Sequence, residues 1–397
     1  MARMPINFEE AYKISTRYMR FNSSHPFISD RNRFWLLKIL FFRAIALICF
    51  AFLVNSIVNH DVKAKTYTEA IKNGIMAIVA VTVTFKHSIL VHRYRLIKNL
   101  IILIDRDYKL AEGLSDDEKD IVSYYVGKGV QICHFWLISA GLTSLMFPVK
   151  ALFLMAYHCW NDECMLIPMF DFTYPKGINE YKDLWSVYCA TFLMCFLFDI
   201  YSMSVYIGFD PLLPIFMLHT CGQLDLVSRN LSKALNEAST TQERRENLKR
   251  INLKLLDIYR FVKDVQKIFV ILYEFNMKTT TFLIPFSAFQ IVESLRHKEI
   301  TLEFISFFFG AILHFYIPCY YSDLLMEKSA SLRQAIYTCG WEMESDIEIR
   351  KTILLMLTRT SSPLVIKTVF YPICLDTFAE MARQAYGIYN IMNAAWG

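Results

Sequence analysis

In a chain of 397 residues, 55% are hydrophobic, 15% aromatic and only 20% charged, and the mean hydropathy is positive at +0.31. A net charge of +5 is small for this length and is no signature of a nucleic-acid partner. Apolar runs without strict alternation exclude a transmembrane barrel. They point instead to an all-α, polytopic membrane protein, because a helix needs roughly 20 apolar residues to cross about 30 Å of hydrocarbon.

Residues 1–33 carry Arg3, Lys13, Arg17, Arg20, Arg31 and Arg33 and no apolar stretch, so they read as a cytoplasmic segment without a cleaved signal. The first apolar block is Phe34–Val58, with Lys38 and Arg43 inside it. The second is Ala70–Val91, followed by a loop with Arg93, Arg95, Lys98, Arg106 and Lys109. An acidic run, Asp116, Asp117, Glu118 and Asp120, reads as a solvated face before the third block, Gly127–Tyr157. Cys159 and Cys164 share the next loop, with Cys189 near the start of the fourth block, and their pairing stays open. That block, Leu184–Ile215, contains Asp199 and ends in Asp210, Pro211 and Pro214, which predict a kink or a break.

The following loop is rich in cations (Arg229, Lys233, Arg244, Arg245, Lys249, Arg250, Lys254 and Arg260). Thr240-x-x-Glu243 reads as a capping box, and Leu248, Ile251, Leu255, Ile258, Val262 and Val265 share one face of an inner helix over about 240–265. The fifth and sixth blocks are Ile268–Val292, with Glu274, and Phe304–Tyr321. Residues 322–361 read as a cytoplasmic helical anchor, with a second box at Ser345-x-x-Glu348 and an apolar run, Ile353–Leu357, too short to span. A seventh block, about Pro363–Met392, lies in the last segment, 362–397. Cations favour the amino-terminal side, which predicts seven spans with the N-terminus inside and the C-terminus outside. The sequons at Asn22 and Asn230 then fall inside and stay unglycosylated.

No CxxC, HExxH, GxSxG or Walker pattern occurs, and His87, His92, His134, His219 and His314 are isolated helix-packing residues. Neither an enzyme nor a metal or cofactor site is expected. The seventh block is more informative. Asp376, Glu380, Gln384, Gly387, Ile391 and Ala395 form one stripe, polar at its inner half and small or apolar at its outer half. Such a stripe must face protein or water, and it suits a vestibule leading to an apolar constriction. The plainer alternative pairs Glu380 with Arg383 and Asp376 with a neighbouring helix, with no pore.

The C-terminal third resembles the insect odorant receptors. The residues that carry the likeness are Cys319-Tyr320-Tyr321-Ser322-Asp323, Glu327-Lys328-Ser329, Ala335-Ile336-Tyr337 with Trp341, and Arg350-Lys351 before Ile353. Leu375-Asp376-Thr377-Phe378 and Ala385-Tyr386-Gly387-Ile388-Tyr389 resemble the family's final helix, with Gly387 and Ile388 in place of its usual Ser and Tyr. Gly208-Phe209-Asp210 is similar to moth members.

The resemblance implies a tetrameric cation channel whose pore is formed by the last helices, with Ile391 at the hydrophobic gate. It also implies a tuning subunit that assembles with a shared odorant co-receptor, since this chain lacks the co-receptor's long insertion after the fourth span. A small, apolar volatile ligand would lie among the outer halves of spans two, three, four and six. The corresponding residues are Val79, Thr82, Val83, Leu142, Met146, Phe147, Tyr188, Leu193, Phe196, Phe304, Phe308 and Ile312. The implied location is the plasma membrane of olfactory sensory neurons, surrounded by membrane lipid. The rival readings are a G-protein-coupled receptor, a secondary transporter, a homomeric chemosensory channel and an integral membrane enzyme.

Overall fold

The computed structural model describes residues 7–161, 165–238, 240–298 and 301–396, without the side chain of residue 236. Arg3 and Cys164 lie outside the described residues. Thirteen α-helices are described: α1 Phe8–Ala11, α2 Lys13–Phe21, α3 Arg33–Ser56, α4 Tyr67–His92, α5 Tyr94–Ala111, α6 Asp116–Trp160, α7 Lys176–Asn179, α8 Trp185–Phe209, α9 Leu212–Asn236, α10 Thr241–Arg296, α11 Leu302–Tyr337, α12 Ile347–Arg359 and α13 Leu375–Trp396. A π-turn extends α3 to Asp61. Among the described residues, five helical stretches are long and apolar enough to cross a membrane: 33–61, 67–92, 116–160, 185–235 and 302–343. By the same measure α10 and α13 are too polar, yet both pack into the bundle, against each other and against α11.

Several helices outrun the apolar blocks that announce them. α10 is one helix of 56 residues, so the amphipathic stretch at about 240–265 and the fifth block are continuous. Thr240 caps its start, accepting from the Glu243 N–H. α11 runs past Tyr321 to Tyr337, before Gly340 turns the chain with a φ of +80°. α6 starts at Asp116 and absorbs the acidic run. Glu118 there is not solvated: it is 5% exposed, closes a capping box with Ser115 and pairs with Lys233 at 2.9 Å. The second proposed box shifts by one residue, since Asp346, not Ser345, caps α12. The seventh block opens as a turn, with a single bridge between Lys367 and Pro372, and becomes helical only at Leu375. The fourth block breaks at Asp210–Pro211 into α8 and α9, as its prolines predict.

Two of the three core clusters lie toward opposite ends of the bundle. At the end that carries the N-terminus, α9 is buried along most of its length and packs on α11, α10 and α6. Asp107 of α5 ties this end together, meeting His219 at 3.2 Å and Lys254 at 2.9 Å. Burial alone would raise the Asp107 carboxyl, but the His219 hydrogen bond and the Lys254 ammonium hold it well below the usual carboxylate range. At the other end α3, α4, α6 and α8 enclose an aromatic cluster around Phe42, Phe170, Phe198 and Tyr201. In that region Cys159 is disulfide-bonded, whereas Cys189 has a free, exposed thiol.

α2 docks the N-terminal segment against the break in α8. Ser15 Oγ donates to the Gly208 carbonyl at 2.8 Å, and Asn22, fully buried, reaches Ser204. A Cβ at Gly208 would come within 3.1 Å of Met19, so a small residue permits this close approach.

Candidate ligand-binding cavity

Facing turns of α4, α6, α8 and α11 leave a cavity of about 100 Å³ within the bundle. Apolar side chains form most of its wall, notably Val79, Phe147, Phe198, Leu283 and Phe307. Its polar groups bridge helices. The Thr143 and Ser306 hydroxyls lie 2.6 Å apart and join α6 to α11, and Ser144 donates to Asp199 at 2.6 Å, joining α6 to α8. Ser202 donates back to the Phe198 carbonyl at 2.8 Å.

Below this wall sits a charged cluster. Lys86, with no exposed surface, donates from Nζ to both Asp210 oxygens at 2.6 and 2.9 Å and to His314 Nε2 at 2.6 Å. All three protons of the ammonium are therefore used, and Tyr206 lays its ring 4.2 Å from it. Asp210 is available because the chain breaks there. A lone buried charge is costly in a membrane, whereas this one is paired and hydrogen-bonded. His314 and Tyr206 also belong to the cavity wall, so the cluster forms its base.

Beyond the opposite wall lies a larger chamber of about 700 Å³, bounded by α4, α6, residues 167–171 and the start of α11. Met76 and Phe147 line both spaces and separate them. At the chamber wall Lys150 meets Glu303 at 2.5 Å and Asp171 at 4.0 Å.

The residues singled out from the sequence spread over these features. Val79 and Phe147 line the inner cavity, and Met146 and Phe304 line the outer chamber with Phe147. Thr82 donates to the Ile78 carbonyl of its own helix, and Val83 is fully buried in the α3–α4–α8 core, against which Phe196 packs. Tyr188 donates to the Ile167 carbonyl at 2.9 Å. Leu142 and Leu193 are exposed outside the bundle. Phe308 and Ile312 are half-buried and touch neither space.

Sequence reasoning passed over Trp136, Thr143, Ser306 and Lys86 and read His314 as plain packing. The usable signal was polarity inside apolar blocks, which had flagged Asp199 alone among the wall residues. The other charges within the spans are accounted for locally. Arg43 donates to Ser88 at 3.2 Å, Lys38 lies 5.5 Å from the Phe21 ring, and Glu274 pairs with Lys278 at 3.0 Å.

On α13, Asp376, Glu380, Gln384, Gly387 and Ile391 all lie on the exposed face, with Ile391 at 71% exposure. Met381, Ala385 and Met392 bury the opposite face. Glu380 pairs with Arg383 at 2.7 Å, as the plainer alternative expects, but both remain largely exposed.

A small, mainly apolar cavity among the helices of a membrane protein is a space suited to a small ligand. The chain belongs to the 7tm odorant receptor family, whose sequence model, described as "7tm Odorant receptor", matches residues 66–386. This is a receptor family and not an enzyme family.

Among relatives, Odorant receptor 13a of Drosophila melanogaster is 24% identical over 233 residues, 54% of this chain and 55% of that one. Odorant receptor 85c of the same fly is 23% identical over 223 residues, 55% of each chain. The chain thus spans about half the length of these curated relatives. The solved olfactory receptor OR5 of Machilis hrabei shares the fold, with a TM-score of 0.76 and 15% identity over 96% of both chains. The same receptor in complex with eugenol gives 0.76, with 16% identity over 97% of both.

Proposed function

We propose that the chain is the odorant-binding subunit of a ligand-gated cation channel in the plasma membrane of olfactory sensory neurons. In this reading it has seven spans, with the N-terminus inside, and assembles with the shared co-receptor as a heterotetramer. The observation that carries the reading is the mainly apolar cavity among α4, α6, α8 and α11. A small volatile held there is recognised by dispersion and shape, and eugenol in the related receptor of like fold supports that ligand size.

The outer chamber serves as the approach, with Met76 and Phe147 as the inner threshold. Of the residues named from the sequence, Val79, Met146, Phe147 and Phe304 are the contacts the geometry favours. The exposed stripe of α13 faces the pore, its carboxylates toward the inner mouth and Ile391 at the constriction. Leu283 and Ala311 line the cavity and also belong to a packed cluster that includes Met392 of α13 and is flanked by Phe307, Ile388 and Tyr389. A ligand that fits the open arrangement better than the closed one shifts the equilibrium through that cluster.

Current recording from oocytes with and without the co-receptor, against a panel of volatiles, tests the proposal. Prompt cation current that needs the co-receptor supports it. Current from this chain alone would make it a homomeric channel, and silence with surface expression confirmed would reject the channel reading.

A further inference from the structure

The first two spans meet the membrane surface at one corner. α3 starts at Arg33, α4 stops at His92, and the chain turns at Arg93 straight into α5. Apolar side chains stand out from the first turns of α3, with Phe34 74% and Leu37 63% exposed, so hydrocarbon begins just past Arg33. Five cations, Arg31, Arg33, Arg93, Arg95 and Lys98, crowd this corner, and Arg33, Arg93 and Arg95 are exposed. The Arg31 guanidinium lies 3.3 Å from the centre of the Tyr94 ring, and Arg95 Nε donates to the Tyr94 hydroxyl at 3.1 Å. Lys98 stands one helical turn further on, 5.3 Å from the Phe27 ring. One phenol thus gathers two guanidinium groups with an ammonium close by.

Among the described residues none of the five forms an ion pair, and Asp30, next to Arg31, pairs with none of them. Elsewhere at this end cations do meet carboxylates: Arg229 meets Asp117, Lys233 meets Glu118, Arg244 meets Glu344 and Arg245 meets Asp346. Like charges held together repel, and an anion at the corner relieves them.

We propose that this corner seats the phosphate of an anionic phospholipid. The guanidinium forks of Arg31 and Arg95 take phosphate oxygens, Lys98 adds its ammonium, and Arg33 and Arg93 raise the local potential. The acyl chains enter the hydrocarbon beside the exposed start of α3. Headgroup depth favours a lipid over a soluble anion, and a zwitterionic lipid offsets its own phosphate. The inference rests on the proposed orientation, because an N-terminus inside puts the corner in the leaflet that carries anionic lipid.

Native mass spectrometry of the purified full chain in neutral detergent tests this, with dioleoylphosphatidylglycerol and dioleoylphosphatidylcholine as probes. The unaltered protein is expected to bind the anionic lipid about tenfold more tightly. Arg31→Gln with Arg95→Gln is expected to bring the ratio within about twofold. Lys249→Gln with Lys351→Gln, which removes the same charge from two exposed, unpaired sites, should leave it in place. The anionic lipid alone should also protect residues 27–35 and 93–99 from hydrogen exchange.

Equal affinities for the two lipids in the unaltered protein would overturn the inference without any variant. So would an equal loss in both double variants, which would mean diffuse surface charge, or protection that appears elsewhere. Displacement of the lipid by equimolar glycerol 3-phosphate would make the corner a soluble-anion site and overturn the lipid. Detergent has no leaflets, so a tag at the N-terminus labelled on intact cells would reject the orientation alone and leave these binding results standing.

Discussion

Lys86, Asp210 and His314 come from α4, the α8–α9 break and α11, and together they pin three elements at one point. Removing the ammonium leaves the Asp210 carboxylate buried with only His314, 3.5 Å away, beside it. Lys86→Met is therefore expected to lower stability by about 3–5 kcal/mol, whereas adding Asp210→Asn should recover most of the loss. Unfolding of the detergent-solubilised protein gives both values. A single variant as stable as its parent would show that the cluster does not hold the bundle. The sequence announces one of the three members. Asp210 draws notice beside two prolines, but Lys86 lies 124 residues away near the polar end of a span, where a lysine reads as an ordinary boundary residue. Trp136 was hidden for a similar reason, because an indole in an apolar block looks like core until the cavity beside it is known.

At the scale of elements, helix identity was legible and helix extent was not. A hydropathy reading ends where apolar sequence turns amphipathic, but the backbone ladder of α10 and α11 continues through that change because nothing there breaks it. The exception proves the same point: the fourth block stops where Pro211 interrupts the ladder. On α13 the six positions grouped by helical spacing, Asp376, Glu380, Gln384, Gly387, Ile391 and Ala395, are all exposed in the single chain. Ile391 is 71% exposed in the single subunit, so Ile391→Ser should change its stability by no more than about 0.5 kcal/mol. In the channel proposed above the same substitution is expected to raise current without ligand. Unchanged basal current and unchanged pore block would remove Ile391 from the gate.

For the molecule as a whole, the docked N-terminal segment carries a pH dependence. His25 is buried, 3.3 Å from Glu9, and burial pushes its pKa down to about 4 against the pull of that carboxylate. Released, it would titrate near 6.5 and bind more protons than the docked form between those values. Docking is therefore fully favoured above about pH 6.5 and weakens as pH falls toward 4. Hydrogen-exchange protection over residues 7–32, taken relative to the intrinsic exchange rate at each pH, should fall between pH 7 and pH 5, and His25→Asn should flatten that fall. Protection that stays level in the parent protein would discount the effect.

The separation of Lys86 from its partner also sets an order of events during synthesis. Ribosomes add roughly 5–20 residues per second, so Asp210 follows Lys86, 124 residues earlier, by about 6–25 s. For that interval α4 must enter the bilayer with a cation that has no counter-charge, a step that costs about 3 kcal/mol at mid-membrane and less near a helix end. The nascent chain thus passes through a stage in which one hairpin is inserted but unsatisfied, held until α8 arrives. The yield of folded receptor is then decided partly by the machinery that shelters that half-made bundle, and not only by the finished fold.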